Sequence, residues 1–77
     1  MYTIMFNERK EGDKNESMGS HFILAKYICS YKPIHPHGSG SIVYTLDGRE
    51  HKIVQSVSDV IDEMNRYENY KKDNPDE

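Results

Sequence analysis

The start of the chain alternates between apolar and polar side chains and then becomes fully polar. Tyr2, Ile4 and Phe6 fall on one side of an extended segment, which predicts a short first β-strand. Residues 8–17 contain no apolar side chain and cannot contribute to a hydrophobic core. We therefore predict a mobile charged loop over residues 8–20.

The segment from His21 to Tyr31 is apolar in both of its alternating sets of side chains. Leu24 and Ala25 favour helix, but the apolar positions follow no helical spacing, and the β-branched and aromatic residues favour an extended chain. The pattern predicts one strand that is central in the sheet or packed on both faces.

A β-hairpin is predicted after the Pro- and Gly-containing segment 32–41. Residues 42–46 and 49–55 have strand composition, and Asp47-Gly48 between them tolerates the positive φ of a tight turn. A two-residue turn predicts one largely apolar face composed of Ile42, Tyr44, Leu46 and Ile53.

A C-terminal helix is predicted to begin after Ser56. Ser56 and Asp59 have the spacing of a capping box, and Asn74-Pro75 is expected to end the helix. Apolar side chains recur at intervals of three to four and predict a buried stripe made by Val57, Val60, Ile61, Met64 and Tyr67. The predicted fold class is α+β: a small antiparallel sheet of three or four strands, with this helix packed on one face. Residues 1–72 are expected to form one domain, followed by an acidic disordered tail at 73–77.

Length, charge and cysteine content narrow the class of protein further. The chain has 77 residues, a formal net charge of −3 and one cysteine. A chain this short has room for one core, and a single cysteine excludes an intramolecular disulfide. No signal peptide and no apolar run long enough to span a membrane are apparent, so we expect a cytoplasmic protein that does not interact with membranes.

The residues that carry chemistry are few. His35 and His37, with Cys29, could in principle bind zinc, but the spacings differ from those of zinc motifs. A metal-binding domain built on the His35/His37 loop is kept as a second alternative, and two solvated histidines are favoured over it. Cys29 lies in an apolar segment, where a cysteine more often packs as a small hydrophobic group. We therefore predict no catalytic residues, no metal ligands, no cofactor and no enzymatic activity.

A protein-binding role follows from the tyrosine content. Six tyrosines exceed what so small a core is expected to bury, and tyrosine is enriched at interfaces. The predicted partner-binding residues are Tyr27, Tyr31, Tyr67 and Tyr70, although completion of the core rim explains tyrosines equally well. An unpaired sheet edge also suggests a homodimer.

A nucleic-acid-binding module that uses tyrosines and lysines on a sheet face is the main alternative function. The net negative charge argues against it, because phosphate neutralisation normally requires a basic excess. No family motif is present. In its size and its abundance of tyrosine and charge, the chain is similar in style to small accessory proteins of bacteriophages and mobile elements. That likeness implies binding and inhibition of a host protein.

Overall fold

One antiparallel sheet and one C-terminal helix make up the fold. The computed structural model describes residues 1–12, 14–35 and 39–77. The elements in chain order are β1 (Thr3–Arg9), β2 (Ser17–Leu24), a 3₁₀ turn (Ala25–Tyr27), β3 (Ile28–Pro33), β4 (Ser41–Thr45), β5 (Glu50–Ile53) and α1 (Val57–Asp73). The strands form a five-stranded sheet in the order β2-β1-β5-β4-β3. The α+β class is confirmed, and the strand number is five rather than the predicted three or four.

The sheet must be strongly coiled, because its two edge strands follow one another in the chain. β2 and β3 lie at opposite edges and are joined only by Ala25–Tyr27. The N–H of Leu46, at the β4–β5 turn, donates to the carbonyl of Tyr27 at 2.9 Å. The coiling therefore brings the end of β2 close to the β4–β5 turn and creates a concave inner face.

The hydrophobic core lies on this inner face, beneath the helix. Val60 and Tyr67 of α1 belong to the same buried cluster as side chains from the sheet. The ring of Tyr2 contacts those of Tyr67 and Tyr70, with centroid separations of 5.6 and 5.0 Å. The core residues contributed by the strands and the 3₁₀ turn are Ile4, Phe6, Ile23, Ala25, Val43 and Ile53.

The single central strand predicted over 21–31 is wrong. The segment forms parts of two strands at opposite edges of the sheet, separated by the 3₁₀ turn. Its apolar residues occur in both alternating sets because only Ile23 and Ala25 are buried, while Phe22 is 66% exposed. The mixed pattern thus arises from apolar groups left on the surface and not from burial on two faces.

The predicted hairpin is present, but its register is wrong by one residue. The N–H of Thr45 donates to the carbonyl of Arg49, and the N–H of Gly48 donates to the carbonyl of Thr45, so three residues form the turn. The positive φ of Gly48, 84°, permits this geometry. A one-residue slip exchanges the two faces of a strand. The buried residues of β4 are therefore Ser41, Val43 and Thr45, and Leu46 is exposed.

The helix agrees with its sequence signals. Ser56 and Asp59 form the predicted capping box, and Asn74 is the C-terminal cap. Of the predicted stripe, Val60 and Tyr67 are buried, Val57 and Met64 are half-buried, and Ile61 is 42% exposed. None of the described residues belongs to a helix that is both long and apolar enough to cross a membrane.

The loop predicted over 8–20 is too wide, because β1 extends to Arg9 and β2 begins at Ser17. β2 starts with four exposed residues at a sheet edge, so hydrophobicity did not mark it as a strand. Asn15 joins the β1–β2 loop to the end of β5, because its side-chain amide donates to the carbonyl of Val54 at 3.0 Å. The mobility of this loop and the disorder of residues 73–77 stay predictions, although Asp73 itself lies in α1.

Candidate functional site

A cleft of about 510 Å³ lies between β2 and the β4–β5 turn. The end of β2 forms one wall, and the turn with the start of β5 forms the other. The hydrogen bond between Leu46 and Tyr27 joins these walls at one end. The cleft is lined by His21, Phe22, Ile23, Leu24, Tyr27, Thr45, Leu46, Asp47, Arg49 and His51.

Two half-buried histidines face each other within this cleft. The rings of His21 and His51 have centroids 5.2 Å apart. They come from β2 and β5, which are separated by β1 in the sheet, so coiling of the sheet brings them together. His51 pairs with Val43 and His21 pairs with Phe6, and both partners are core residues. The imidazoles therefore continue the inner face beyond the apolar core.

Thr45 and Asp47 hold one of these imidazoles in place. The hydroxyl of Thr45 donates to Oδ1 of Asp47 and lies 3.2 Å from Nε2 of His51. Because the single hydroxyl proton goes to the carboxylate, the Thr45 oxygen accepts from His51, which places the proton of neutral His51 on Nε2. The N–H of Arg49 also donates to Asp47. These hydrogen bonds, that from Thr45 first, lower the pKa of Asp47.

The surroundings of His51 favour the neutral form of its imidazole. Burial disfavours its charged form, and the neighbouring His21 adds like-charge repulsion, so the pKa of His51 is lowered. A nucleophilic triad would need the imidazole between a hydroxyl and a carboxylate. Here the hydroxyl of Thr45 lies between the carboxylate of Asp47 and the imidazole, and Thr45 is only 7% exposed. The arrangement positions the ring and does not activate the hydroxyl.

Large apolar side chains surround the cleft and remain in contact with solvent. Phe22 is 66% exposed, Leu46 is 68% exposed and Tyr27 is 46% exposed. Single exposed apolar residues are normal on a protein surface, whereas several around one concavity are typical of interaction sites. These three side chains form what we call the apolar rim.

The four tyrosines predicted to bind a partner do not share one surface. Tyr27 belongs to the apolar rim, while Tyr31 and Tyr70 are half-buried and pack against the core. Tyr67 is only 4% exposed and contacts Tyr2, so it has little area to offer a partner. Of the four, Tyr27 has the largest exposed surface in the structure.

The candidate metal ligands are not brought together. His35 is exposed, and His37 lies outside the described residues. Cys29 is exposed rather than packed, because a bulge in β3 removes it from the register with β4, and its thiol contacts the carbonyl of Tyr44 at 3.3 Å. Within ranges 1–12, 14–35 and 39–77, no three metal-ligating side chains converge.

Basic and aromatic side chains do meet on the outer face of the sheet. Lys32 of β3 and Lys52 of β5 both pair with Ile42 of β4, and the ammonium of Lys32 lies 5.8 Å from the ring centroid of Tyr44. Glu50 pairs with Tyr44 and offsets part of this charge. We call Lys32, Tyr44 and Lys52 the basic strip.

Sequence reasoning missed the histidine pair because the approach of its two members depends on coiling of the sheet, which no local pattern indicates. Alternation along β5 puts His51 on the face of Ile53 with either turn length, and the three-residue turn adds Val43 to that face. His21 belongs to β2, which β1 separates from β5 in the sheet. Comparison with known proteins adds no further constraint: no family model, no curated protein and no solved structure matches this chain.

Proposed function

We propose that the protein is a small non-enzymatic protein-binding module that receives an apolar segment of another cellular protein in the cleft between β2 and the β4–β5 turn. The observation that carries the proposal is the apolar rim, in which Phe22, Tyr27 and Leu46 are exposed around one concavity. Aromatic residues are enriched at the centres of protein interfaces, where a few of them contribute most of the binding free energy.

The rim offers enough surface to supply a binding hot spot. Full burial of a large apolar side chain contributes about 1.5–3 kcal/mol, and covering the exposed parts of these three contributes on the order of 1–2 kcal/mol each. The charges lining the cleft are Asp47 and Arg49, whose side chains pair at 3.5 Å. An apolar partner segment therefore meets little uncompensated charge.

A protein that binds through the apolar rim covers the surface of its partner that enters the cleft. We propose that this occupation modulates or inhibits a host or cellular protein.

Affinity capture with matched variants tests this proposal. Tagged protein is incubated with a lysate of the organism that encodes it, and the retained proteins are identified and quantified. The cleft variant carries Phe22→Ser and Leu46→Ser, the first control carries Ile61→Ser on the exposed side of α1, and the second carries Tyr31→Ala and Tyr70→Ala. Circular dichroism melts establish that each variant is folded before capture.

We expect the wild type and Ile61→Ser to retain one protein in similar amounts. The amount of that protein retained by the cleft variant should be at least tenfold lower. Retention by the Tyr31→Ala, Tyr70→Ala variant places binding at the rim, whereas its loss assigns binding to those tyrosines. Retention of the same proteins by all variants, or of none by the wild type, contradicts the proposal.

The basic strip favours a second function, binding of single-stranded nucleic acid. Lys32 and Lys52 provide charge, and the ring of Tyr44 provides a surface on which a base stacks. Fluorescence anisotropy with a labelled twelve-nucleotide oligothymidine or oligouridine tests it. Binding that weakens steeply with salt and is lost in Tyr44→Ala supports this function, while absence of binding at low salt rejects it.

A further inference from the structure

Within the part of the chain that the structure describes, no strand pairs with the backbone groups on the outer edge of β2. β2 is the first strand in the sheet order, with β1 on one side only. The N–H of Ala25 donates to the carbonyl of Tyr2, in register with the β1–β2 ladder. Because antiparallel pairing alternates, the N–H and carbonyl groups of Ser20 and Phe22 and the N–H of Leu24 point away from β1, while the carbonyl of Leu24 begins the 3₁₀ turn.

The two edges of the sheet differ in how well they are protected. Natural edge strands are commonly blunted by lysine, by proline or by charged side chains. β3 carries Lys32 and Pro33, whereas the eight residues of β2, SMGSHFIL, include no charged residue and no proline. β2 therefore presents the edge that is better suited to accept another strand.

This open edge is also a wall of the cleft. Residues 21–24 of β2 line the cleft, and the side chains of the apolar rim surround its opening. A strand paired with β2 would alternate between its two faces. Side chains opposite Ile23 would point toward the core side of the cleft, and those opposite Phe22 would contact the exposed ring of Phe22 at the rim of the cleft.

We propose that the cleft binds its partner by strand addition: an extended, uncharged segment of another protein pairs through its backbone with the edge of β2. This proposal rests on the proposed protein-binding function and specifies the form that the partner takes. Side chains at alternate positions of the segment are apolar and pack against the rim. Charged side chains are disfavoured because Asp47 and Arg49 already neutralise each other in the cleft.

A single segment fits this site better than a second copy of the chain. Edge-to-edge pairing of two copies along eight residues, about 26 Å, with a contact strip about 10 Å wide buries on the order of 260 Å² per copy, far below the roughly 800 Å² of a standard interface. A narrow segment also covers the lining of the cleft, which adds to the area that it buries. In a dimer, the β2 strand of the second copy would be followed by that copy's own β1, about 4.8 Å further from the first sheet. That additional strand would approach the β4–β5 turn. An isolated segment has no such neighbour.

Selection from a displayed library of random twelve-residue peptides tests the proposal. The tightest peptide is then synthesised as a series in which each backbone nitrogen is methylated in turn, and the affinities are measured by fluorescence anisotropy. Pairing with β2 predicts losses of at least tenfold at every second position, because only alternate N–H groups face the strand. Uniform effects along the peptide, selection of helix-forming or charged peptides, or recovery of no peptide overturns the proposal.

Two variants of the protein test the same edge from the other side. Ser20→Pro removes an outward N–H without removing a β1–β2 hydrogen bond, and Ser20→Ala removes only an exposed hydroxyl. We expect at least tenfold weaker peptide binding for Ser20→Pro and unchanged binding for Ser20→Ala. If Ser20→Pro does not fold, the methylation series, which leaves the protein unaltered, decides the matter.

The outcomes separate this proposal from the broader one. A partner that is lost with the cleft variant, while no peptide shows the period-two pattern, keeps the protein-binding function and rejects strand addition. Concentration-dependent dimerisation that is abolished by Ser20→Pro assigns the edge to a second copy and also rejects the proposal.

Discussion

Truncation of Val43 tests the register of the β4–β5 hairpin, which decides which residues of β4 lie on the inner face and brings Thr45 to His51. Val43 has no exposed surface and lies in the core, whereas Leu46 is 68% exposed. The two-residue turn suggested by Asp47-Gly48 would exchange these positions. Val43→Ala and Leu46→Ala therefore distinguish the two registers by the order of their effects.

The magnitudes follow from burial. Val43→Ala removes two buried methyl groups, worth about 1.6 kcal/mol by transfer, and the cavity left behind raises the loss to about 2–2.5 kcal/mol. Leu46→Ala removes groups that are mostly in water and should cost about 0.5 kcal/mol or less. A domain of 77 residues has a free energy of unfolding of about 4–12 kcal/mol, so the first loss is large and the second is small.

Urea denaturation followed by circular dichroism gives both values. We expect Val43→Ala to lower the free energy of unfolding at an unchanged m-value and to lower Tm by about 8–20 °C. In the two-residue register Leu46 would be a core residue, and Leu46→Ala would cost about 2–5 kcal/mol. A larger loss for Leu46→Ala than for Val43→Ala would refute the register described here.

Three further predictions concern single positions. A Cβ on Gly40, whose φ is 94°, would lie 2.9 Å from Oδ1 of Asn15, so Gly40→Ala should cost about 2–3 kcal/mol in urea denaturation. Gly48 also has a positive φ, but a Cβ added there would meet no atom within 4 Å, so Gly48→Ala is the control. An equal loss of stability in Gly48→Ala would show that the contact between residue 40 and Asn15 is unimportant. Ser56→Ala removes the cap that accepts from the N–H of Asp59 and should cost about 1 kcal/mol in thermal melts, largely restored by Ser56→Asp. Because the pKa of His51 is lowered in the folded protein, the unfolded chain binds more protons below about pH 6.5. The free energy of unfolding should thus fall between pH 7.5 and 5.5, and a fall that is no shallower in His51→Gln would contradict this assignment.

Local signals predicted the elements whose formation depends on nearby residues. The capping box of Ser56 and Asp59, the apolar stripe of α1 and the cap at Asn74 act within one helix, so spacing alone identifies them. The alternation of Ile4 and Phe6 identified β1 in the same way. Segment 21–31 could not be interpreted locally, because an apolar side chain left on the surface looks the same in a sequence as one that is buried.

The sequence by itself determined the α+β class, the C-terminal helix and the presence of a hairpin, because short-range periodicity and turn chemistry govern each of them. Only the tertiary structure decided that the sheet has five strands, that β2 and β3 are its edges and that His21 meets His51. These features depend on strand pairing between distant parts of the chain and on coiling of the sheet. The candidate site lies where such long-range pairings meet, so it was the part of the protein that local patterns described least.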